Sequence, residues 1–173
     1  MKNKTFGFTL IEILVVISII SILSAVIYAS FGDARENSRD KVRQTSLKEL
    51  ALQLEVYKSQ YGVYPDQGCD DGSGWAGPGP SGCDEYIVGL VPEFMSELPT
   101  DPNQEAEADL GFVYRVSPKG DRYKAMVQGS VETNLVTDFN NEFARCPSAL
   151  SGPCAAGAPE RTYAVYSSGA EDW

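Results

Sequence analysis

The chain has 173 residues, with 24 acidic against 14 basic side chains and no histidine, and its formal net charge at pH 7 is −10. This acidic excess argues against a nucleic-acid-binding surface, because such a surface needs basic side chains to offset the phosphates. Without histidine there is no histidine-based catalytic triad and no histidine metal ligand, and no nucleophile–base pair stands at a useful spacing. The composition therefore predicts a protein that is not an enzyme.

The first thirty residues contain the longest apolar run of the chain. Glu12 is the only charged residue between Phe8 and Phe31, and a helix of about 24 residues is roughly 35 Å long, enough to cross the core of a bilayer. Lys2 and Lys4 precede the run. Basic residues on this flank predict that the N-terminus stays in the cytoplasm while the rest of the chain is exported.

Two ordinary interpretations of this run are a secretory signal and a plain membrane anchor. A secretory signal would be cleaved after small residues, here Ala25 or Ala29, and would be lost from the mature protein. Glu12 argues against both, because a carboxylate inside an apolar span costs about 2.5–3.5 kcal/mol on insertion scales and usually marks a functional site.

The segment Lys-x-Lys-x-x-Gly followed by Phe-Thr-Leu-Ile-Glu resembles the class III leader of type IV pilins and type II secretion pseudopilins. The resemblance implies that a membrane aspartyl peptidase, the prepilin peptidase, cuts after Gly7 and methylates the new N-terminus on Phe8. The glutamate of that family falls on Glu12. Also implied are a platform protein and an ATPase that assemble a homopolymer through the N-terminal helices. The subunit would wait in the cytoplasmic membrane as a single-pass protein with its C-terminal domain outside, then enter an extracellular filament or a periplasmic pseudopilus.

Cleavage at this point would create a positive α-amino group at Phe8, in the same low-dielectric layer as the Glu12 carboxylate. An acidic side chain is favoured in the first turn of a helix by the helix dipole, and a buried charge needs a partner. We therefore expect Glu12 to neutralise the amino group of a neighbouring subunit and to set the axial register of a filament.

The helical pattern continues beyond the apolar run, and Gly32 is the only local breaker before Tyr61. Apolar side chains recur at three- and four-residue spacing and form one stripe: Leu47, Leu50, Ala51, Leu54, Tyr57 and Tyr61. The stretch from Asp33 to Ser46 is far more polar. It predicts a solvated neck whose basic side chains lie near lipid head groups.

A helix exit and a loop region follow. The segment Tyr61-Gly62-Val63-Tyr64-Pro65 has glycine and proline stop signals and resembles the helix exit of major pseudopilins. Residues 69–83 are rich in glycine and proline and predict a loop, with Trp75 either exposed as a contact or folded back onto the domain. Leu98-Pro99-Thr100-Asp101-Pro102 is similar to the loop that precedes the sheet in the same proteins.

The four cysteines match no zinc or redox spacing. All of them follow the apolar run, so export would place them where disulfides persist. Three pairings are possible, and proximity favours Cys69–Cys83 with Cys146–Cys154, while free buried thiols are the alternative. A closed loop of about fifteen residues contributes about 3 kcal/mol in the chain-entropy description.

Calcium is the one cofactor for which ligand types are present. Asp70, Asp71 and Ser73 carry suitable oxygens without the spacing of a calcium loop. The ending YAVYSSGAEDW resembles the tail of major pseudopilins, where an acidic loop binds calcium, but Glu171 stands in place of the usual aspartate and two residues follow it. Glu171 and Asp172 are therefore weak metal candidates, and the sequence predicts no other cofactor.

Three segments with alternating apolar residues predict strands: Phe112–Val116, Tyr123–Val127 and Thr162–Ser167. The first two flank Ser117-Pro118-Lys119-Gly120-Asp121, which suits a hairpin. With the helix they predict an α+β, type IV pilin-like fold, in which a long N-terminal helix packs on a small antiparallel sheet of three to four strands.

The predicted organisation has five parts: a leader (1–7), a transmembrane and polymerisation half-helix (8–31), an amphipathic half-helix (32–62), an αβ loop with a glycine-rich segment (63–111), and a sheet with a disulfide-bearing C-terminal region (112–173). The predicted function is that of a filament subunit, in a secretion, adhesion, motility or competence system that the sequence leaves open. The alternative from another class is a membrane-anchored extracellular binding domain that does not polymerise.

Overall fold

The computed structural model of the chain describes residues 8–69, 74–78, 83, 85–103, 111–147 and 159–173. This described part contains one long helix and three strands: α1 (Leu10–Tyr61), β1 (Gly111–Val116), β2 (Tyr123–Gln128) and β3 (Tyr163–Tyr166). A three-residue 3₁₀ turn, Pro159–Arg161, precedes β3. The predicted α+β architecture is confirmed, and it is consistent with a type IV pilin-like fold.

The helix α1 contributes to two compact units, one ending at Glu36 and one spanning Asn37–Trp173. Gly32 lies inside α1, so this glycine does not end the helix. The helix ends where the sequence predicts. Gly62 has a φ of +82°, and its N–H donates to the carbonyl of Lys58 at 2.8 Å. A left-handed residue at this position closes a helix end, and glycine adopts it without steric cost.

The three strands form one antiparallel sheet in the order β1-β2-β3. In the β1–β2 hairpin Tyr114 stands opposite Ala125, and Arg115 stands opposite Lys124. The connection closes with a hydrogen bond from the N–H of Ser117 to the carbonyl of Arg122 at 2.9 Å. The predicted strands are therefore confirmed, with small differences at their ends.

One apolar core joins the second half of α1 to the sheet. The helix supplies Leu47, Leu50 and Leu54, all at most 1% exposed, because residues three and four apart share one helix face. The sheet supplies alternate residues of its strands: Phe112, Tyr114, Tyr123, Ala125, Val127 and Tyr163. The predicted stripe is buried over these leucines, whereas its last member, Tyr61, is 50% exposed.

The predicted solvated neck is wrong for its C-terminal part. Asp40 and Arg43 are 0% and 1% exposed, although Lys41 between them is exposed. The two buried side chains lie on the helix face that meets residues 101 and 132–134 of the globular unit. The second unit therefore begins near Asn37, well before the end of the polar stretch.

Candidate functional site

The first turn of α1 is closed by a reciprocal set of hydrogen bonds between two side chains. The Thr9 N–H and hydroxyl donate to Oε2 of Glu12 at 2.7 and 2.6 Å, and the Glu12 N–H lies 3.3 Å from the Thr9 hydroxyl oxygen. Threonine before the helix and glutamate three residues later form a capping box, which satisfies N–H groups that have no partner within the helix. The Glu12 carboxylate is thereby held at the helix start.

The apolar part of α1 exposes its large side chains on all sides. Phe8 is 85% exposed and Phe31 is 56% exposed, and the large apolar residues between them range from 50% to 81%. Among the described residues, α1 is the one helix long and apolar enough to cross a membrane by length and composition. No described residue of the apolar span is buried within its own unit, so this surface has to be covered by lipid or by other chains.

The serines of this span satisfy their hydroxyl groups within the helix. Ser18 donates to the carbonyl of Leu14 and Ser21 donates to the carbonyl of Ile17, each at 2.7 Å. In a bilayer an unsatisfied hydroxyl is costly, so bonding to the carbonyl four residues earlier makes these residues compatible with lipid.

Comparison with protein families identifies the N-terminal segment. Residues 2–28 match the family described as "Prokaryotic N-terminal methylation motif". The chain carries a class III prepilin leader. Comparisons with curated proteins and with solved structures gave no match. The prepilin leader and the apolar half of α1 together fit a membrane-anchored, pilin-type protein.

The prepilin motif implies processing by the prepilin peptidase and assembly into a filament. Gly7, the residue before the predicted cut, lies outside the described residues. Phe8 is the first described residue and is highly exposed, and Glu12 stands one helical turn beyond it. The roles of Gly7, Phe8 and Glu12 stay predictions that rest on the leader motif.

The predicted Cys69–Cys83 disulfide is confirmed. Cys146 is buried and disulfide-bonded, but its predicted partner Cys154 lies outside the described residues. The pairing of Cys146 with Cys154 therefore stays a prediction. Trp75, inside the first disulfide loop, is half-buried and lies near the guanidinium of Arg115, with 5.7 Å from the guanidinium carbon to the ring centroid.

Two main-chain oxygens beside the C-terminal calcium candidates Glu171 and Asp172 already have a cationic partner. The ammonium of Lys124 donates to the main-chain carbonyls of Glu171 and Trp173 at 2.8 and 3.1 Å. Carbonyl oxygens are typical calcium ligands, and here a side-chain cation already binds them. Among the described residues there is no group of three or more cysteine, aspartate or glutamate side chains that could hold a metal ion. Asp70, Asp71 and Ser73 lie outside that part of the chain.

A buried cluster of charges in the globular unit was not predicted from the sequence. The guanidinium of Arg43 binds Asp101 through two hydrogen bonds of 2.9 and 2.8 Å and also contacts Asp40 and Glu132, each at 2.8 Å. Arg39 pairs with the same Glu132. The cluster links α1 to two loops, one before β1 and one between β2 and β3.

Two carboxyl groups of this cluster, those of Asp40 and Glu132, have lowered pKa values. Burial acts to raise the pKa of Asp40, but the N–H groups of Glu132, Thr133 and Asn134, together with Arg43, outweigh burial and lower it. The hydrogen bond from Arg39 lowers the pKa of Glu132. The carboxylates of Asp40 and Glu132 are therefore ionised near neutral pH, and Arg39 and Arg43 offset part of the negative charge of the cluster.

Two signals in the sequence point toward this cluster. Asp40 and Arg43 have the three-residue spacing that places side chains on one helix face, and Asp101 occupies the Leu-Pro-x-Asp-Pro segment. Glu132 has no comparable local signal, because it lies in an irregular stretch. Only the folded chain brings it to Arg43.

Proposed function

We propose that this protein is a pilin-type structural subunit that is cleaved after Gly7, N-methylated on Phe8 and assembled into a type IV pilus or a type II secretion-like filament. The observation that carries the proposal is the match of residues 2–28 to the N-terminal methylation motif, continuous with a helix whose apolar side chains are exposed. Cleavage before the apolar run, rather than after it, leaves the mature subunit with its polymerisation helix.

In this proposal the apolar half of α1 has two successive environments. It first spans the cytoplasmic membrane, with the second unit outside, and then packs among copies of itself in a filament. Both environments remove the apolar side chains from water, which contributes about 25 cal/mol for each Å² buried. A platform protein and an assembly ATPase move the subunit from one environment to the other.

Glu12 has two roles in this proposal. Within its own helix it completes the capping box with Thr9. Across the filament its carboxylate neutralises the amino group of Phe8 on a neighbouring subunit, which favours the register that brings the two charges together. A wrong register leaves both charges without a partner in an apolar layer, and such an arrangement is strongly destabilising.

Intact-mass and N-terminal peptide analysis of protein from membranes and from sheared cell surfaces tests the proposal. A chain that starts at methylated Phe8 and occurs in the sheared fraction is the expected result. A chain that starts after Ala25 or Ala29 would instead indicate a secreted soluble domain. A chain that retains Met1 would indicate a static anchor and would favour the binding-domain alternative.

The role of the Glu12 charge is tested by two matched variants. Glu12→Gln retains a side chain that can complete the capping box but removes the charge, while Glu12→Leu removes both. We expect both variants to be cleaved and to accumulate in the membrane, with filament yield reduced at least about tenfold by loss of the buried ion pair. A wild-type filament yield from Glu12→Gln would contradict the proposed role of the charge.

A further inference from the structure

A cavity of about 580 Å³ lies against the end of the β1–β2 hairpin in the second unit. Its walls combine charged, polar and aromatic residues: Asp66, Gln67, Arg115, Ser117 and Trp173. This volume falls within the range of about 300–1,000 Å³ that is typical of small-molecule sites. None of these residues belongs to the leader, the apolar span or the Arg43 cluster.

Arg115 lies between the two tryptophans of the chain. Its guanidinium carbon is 5.7 Å from the ring centroid of Trp75 and 5.3 Å from that of Trp173. Within about 6 Å an indole ring attracts a cation through its quadrupole. Such contacts leave the N–H groups of the guanidinium available to a second partner.

The fold holds both tryptophans in place. Ala76 pairs with Tyr114 of β1 through two main-chain hydrogen bonds of 2.8 and 2.7 Å, so Trp75 is held beside Arg115. The carbonyl of Trp173 accepts a hydrogen bond from the ammonium of Lys124 at 3.1 Å. Lys124 stands directly opposite Arg115 in the sheet, so the two basic residues and Trp173 lie on one face.

Arg115 has no carboxylate partner within the described part of the chain, which distinguishes it from Arg39, Arg43 and Arg122. A half-buried guanidinium that lines a cavity and retains free donors is suited to bind a carboxylate from outside, because its fork of N–H groups matches the two carboxylate oxygens.

We propose that this cavity binds an acidic sugar unit, a pyranose ring that bears one carboxylate. The guanidinium of Arg115 binds the carboxylate, and C–H groups of the sugar ring contact the indole of Trp173, over which the guanidinium of Arg122 also lies at 5.3 Å. Gln67 and Asp66 bond to the ring hydroxyls, since carboxylate and amide groups on the wall accept hydrogen bonds from them. The negative charge of Asp66 disfavours phosphates and other multiply charged anions more than it disfavours a single carboxylate.

Tryptophan fluorescence gives a direct test, because Trp173 lines the cavity and Trp75, the other tryptophan of the chain, lies beside Arg115. Full-length protein is titrated with D-galacturonic acid at constant ionic strength, in a detergent without a sugar head group. D-Galactose, which lacks the carboxylate, and acetate, which lacks the ring, are the matched ligands. We expect saturable binding of galacturonate, with both matched ligands at least about tenfold weaker.

Variants assign the binding to Arg115. Arg115→Gln removes the charge, and Arg115→Lys retains the charge but loses the fork, so both should weaken galacturonate binding at least about tenfold. Lys119→Gln makes the same change of charge on an exposed residue of the same hairpin and should stay within about twofold of wild type. Circular dichroism shows whether each variant retains the fold.

Three results would overturn the proposal. The first is the absence of saturable binding of galacturonate up to about 10 mM. The second is equal binding of acetate, since the ring would then contribute nothing. The third is unchanged galacturonate binding by folded Arg115→Gln. None of these results depends on whether the protein assembles into filaments.

Discussion

Arg43 and Asp101 are 58 residues apart in the chain, yet they form a two-bonded ion pair, with Nε to Oδ2 at 2.9 Å and Nη2 to Oδ1 at 2.8 Å. Both side chains are at most 2% exposed. Such a pair has strict geometry, because the planar guanidinium matches the two oxygens of the carboxylate. It joins the helix α1 to the loop before β1, and in this way fixes where the globular unit begins along the helix.

Arg43→Met should lower the free energy of unfolding by about 3–5 kcal/mol, because it leaves buried carboxylates without their cation. Lys48→Met is the matched control on the same helix. Its ion pair with Glu142 has side chains that are 58% and 64% exposed, so the loss should be below about 1 kcal/mol. Chemical denaturation of the full-length protein in detergent measures both, and equal effects would contradict the structural role of the cluster.

The acid stability of the protein should depend on Asp40. Its pKa in the folded protein lies below its ordinary value, so the unfolded chain binds the proton more readily than the folded chain does. The resulting stabilisation is complete above about pH 5 and is lost as the pH falls through the pKa of the unfolded chain, about 4, toward the lowered pKa of the folded protein. Denaturation between pH 6 and pH 3, at about one-unit steps, should show a steeper loss in wild type than in Asp40→Asn. Parallel curves would count against this assignment.

Lys124 should make stability depend on alkaline pH in the opposite sense. Burial lowers the pKa of Lys124 from 10.5 to about 8, so in this interval the unfolded chain retains a proton that the folded chain has released. The free energy of unfolding of wild type, relative to that of Lys124→Met, should therefore rise between about pH 8 and pH 10.5, by up to roughly 3 kcal/mol. The ionisation of the tyrosines contributes equally to the pH dependence of both proteins, so it cancels in this comparison. A difference that is constant with pH would show that Lys124 keeps its ordinary pKa.

The Cys69–Cys83 disulfide should stabilise the globular unit mainly by restricting the unfolded chain. The double variant Cys69→Ala with Cys83→Ala should lose about 3 kcal/mol, as expected for a loop closed over 14 residues. Alanine is chosen because Cys83 is 1% exposed, and a buried hydroxyl would add its own cost. Chemical denaturation of wild type and of the double variant is measured without reductant, so that the two proteins differ only in this disulfide. A loss below about 1 kcal/mol would mean that residual structure already restrains the unfolded loop.

Calcium should have little effect on the C-terminal turn, since Lys124 donates to the carbonyls of Glu171 and Trp173. We expect the thermal midpoint of the full-length protein to be unchanged within about 1 °C between excess calcium and excess chelator. A clear rise with calcium would point to Asp70 and Asp71 as ligands, and Asp70→Asn with Asp71→Asn should then abolish that rise.

Local patterns in the sequence were sufficient to predict the elements whose structure depends on neighbouring residues. The leader motif, the apolar span and the Gly62 helix exit each depend on residues within a few positions of one another. The strands were found for the same reason, since their period of two is visible along the chain. Cys69 and Cys83 paired as proximity indicated.

The contacts that only the tertiary structure decided all join residues far apart in the chain. Arg43 meets Asp101 and Glu132, Lys124 meets the C-terminal turn, and Arg115 lies between Trp75 and Trp173. A charged residue in a polar stretch carries no local mark of its burial, because its desolvation is offset by partners that the sequence does not place beside it. For this reason the sequence assigns Asp40 and Arg43 to a solvated neck, whereas folding buries both side chains inside the globular unit, against residues 101 and 132–134.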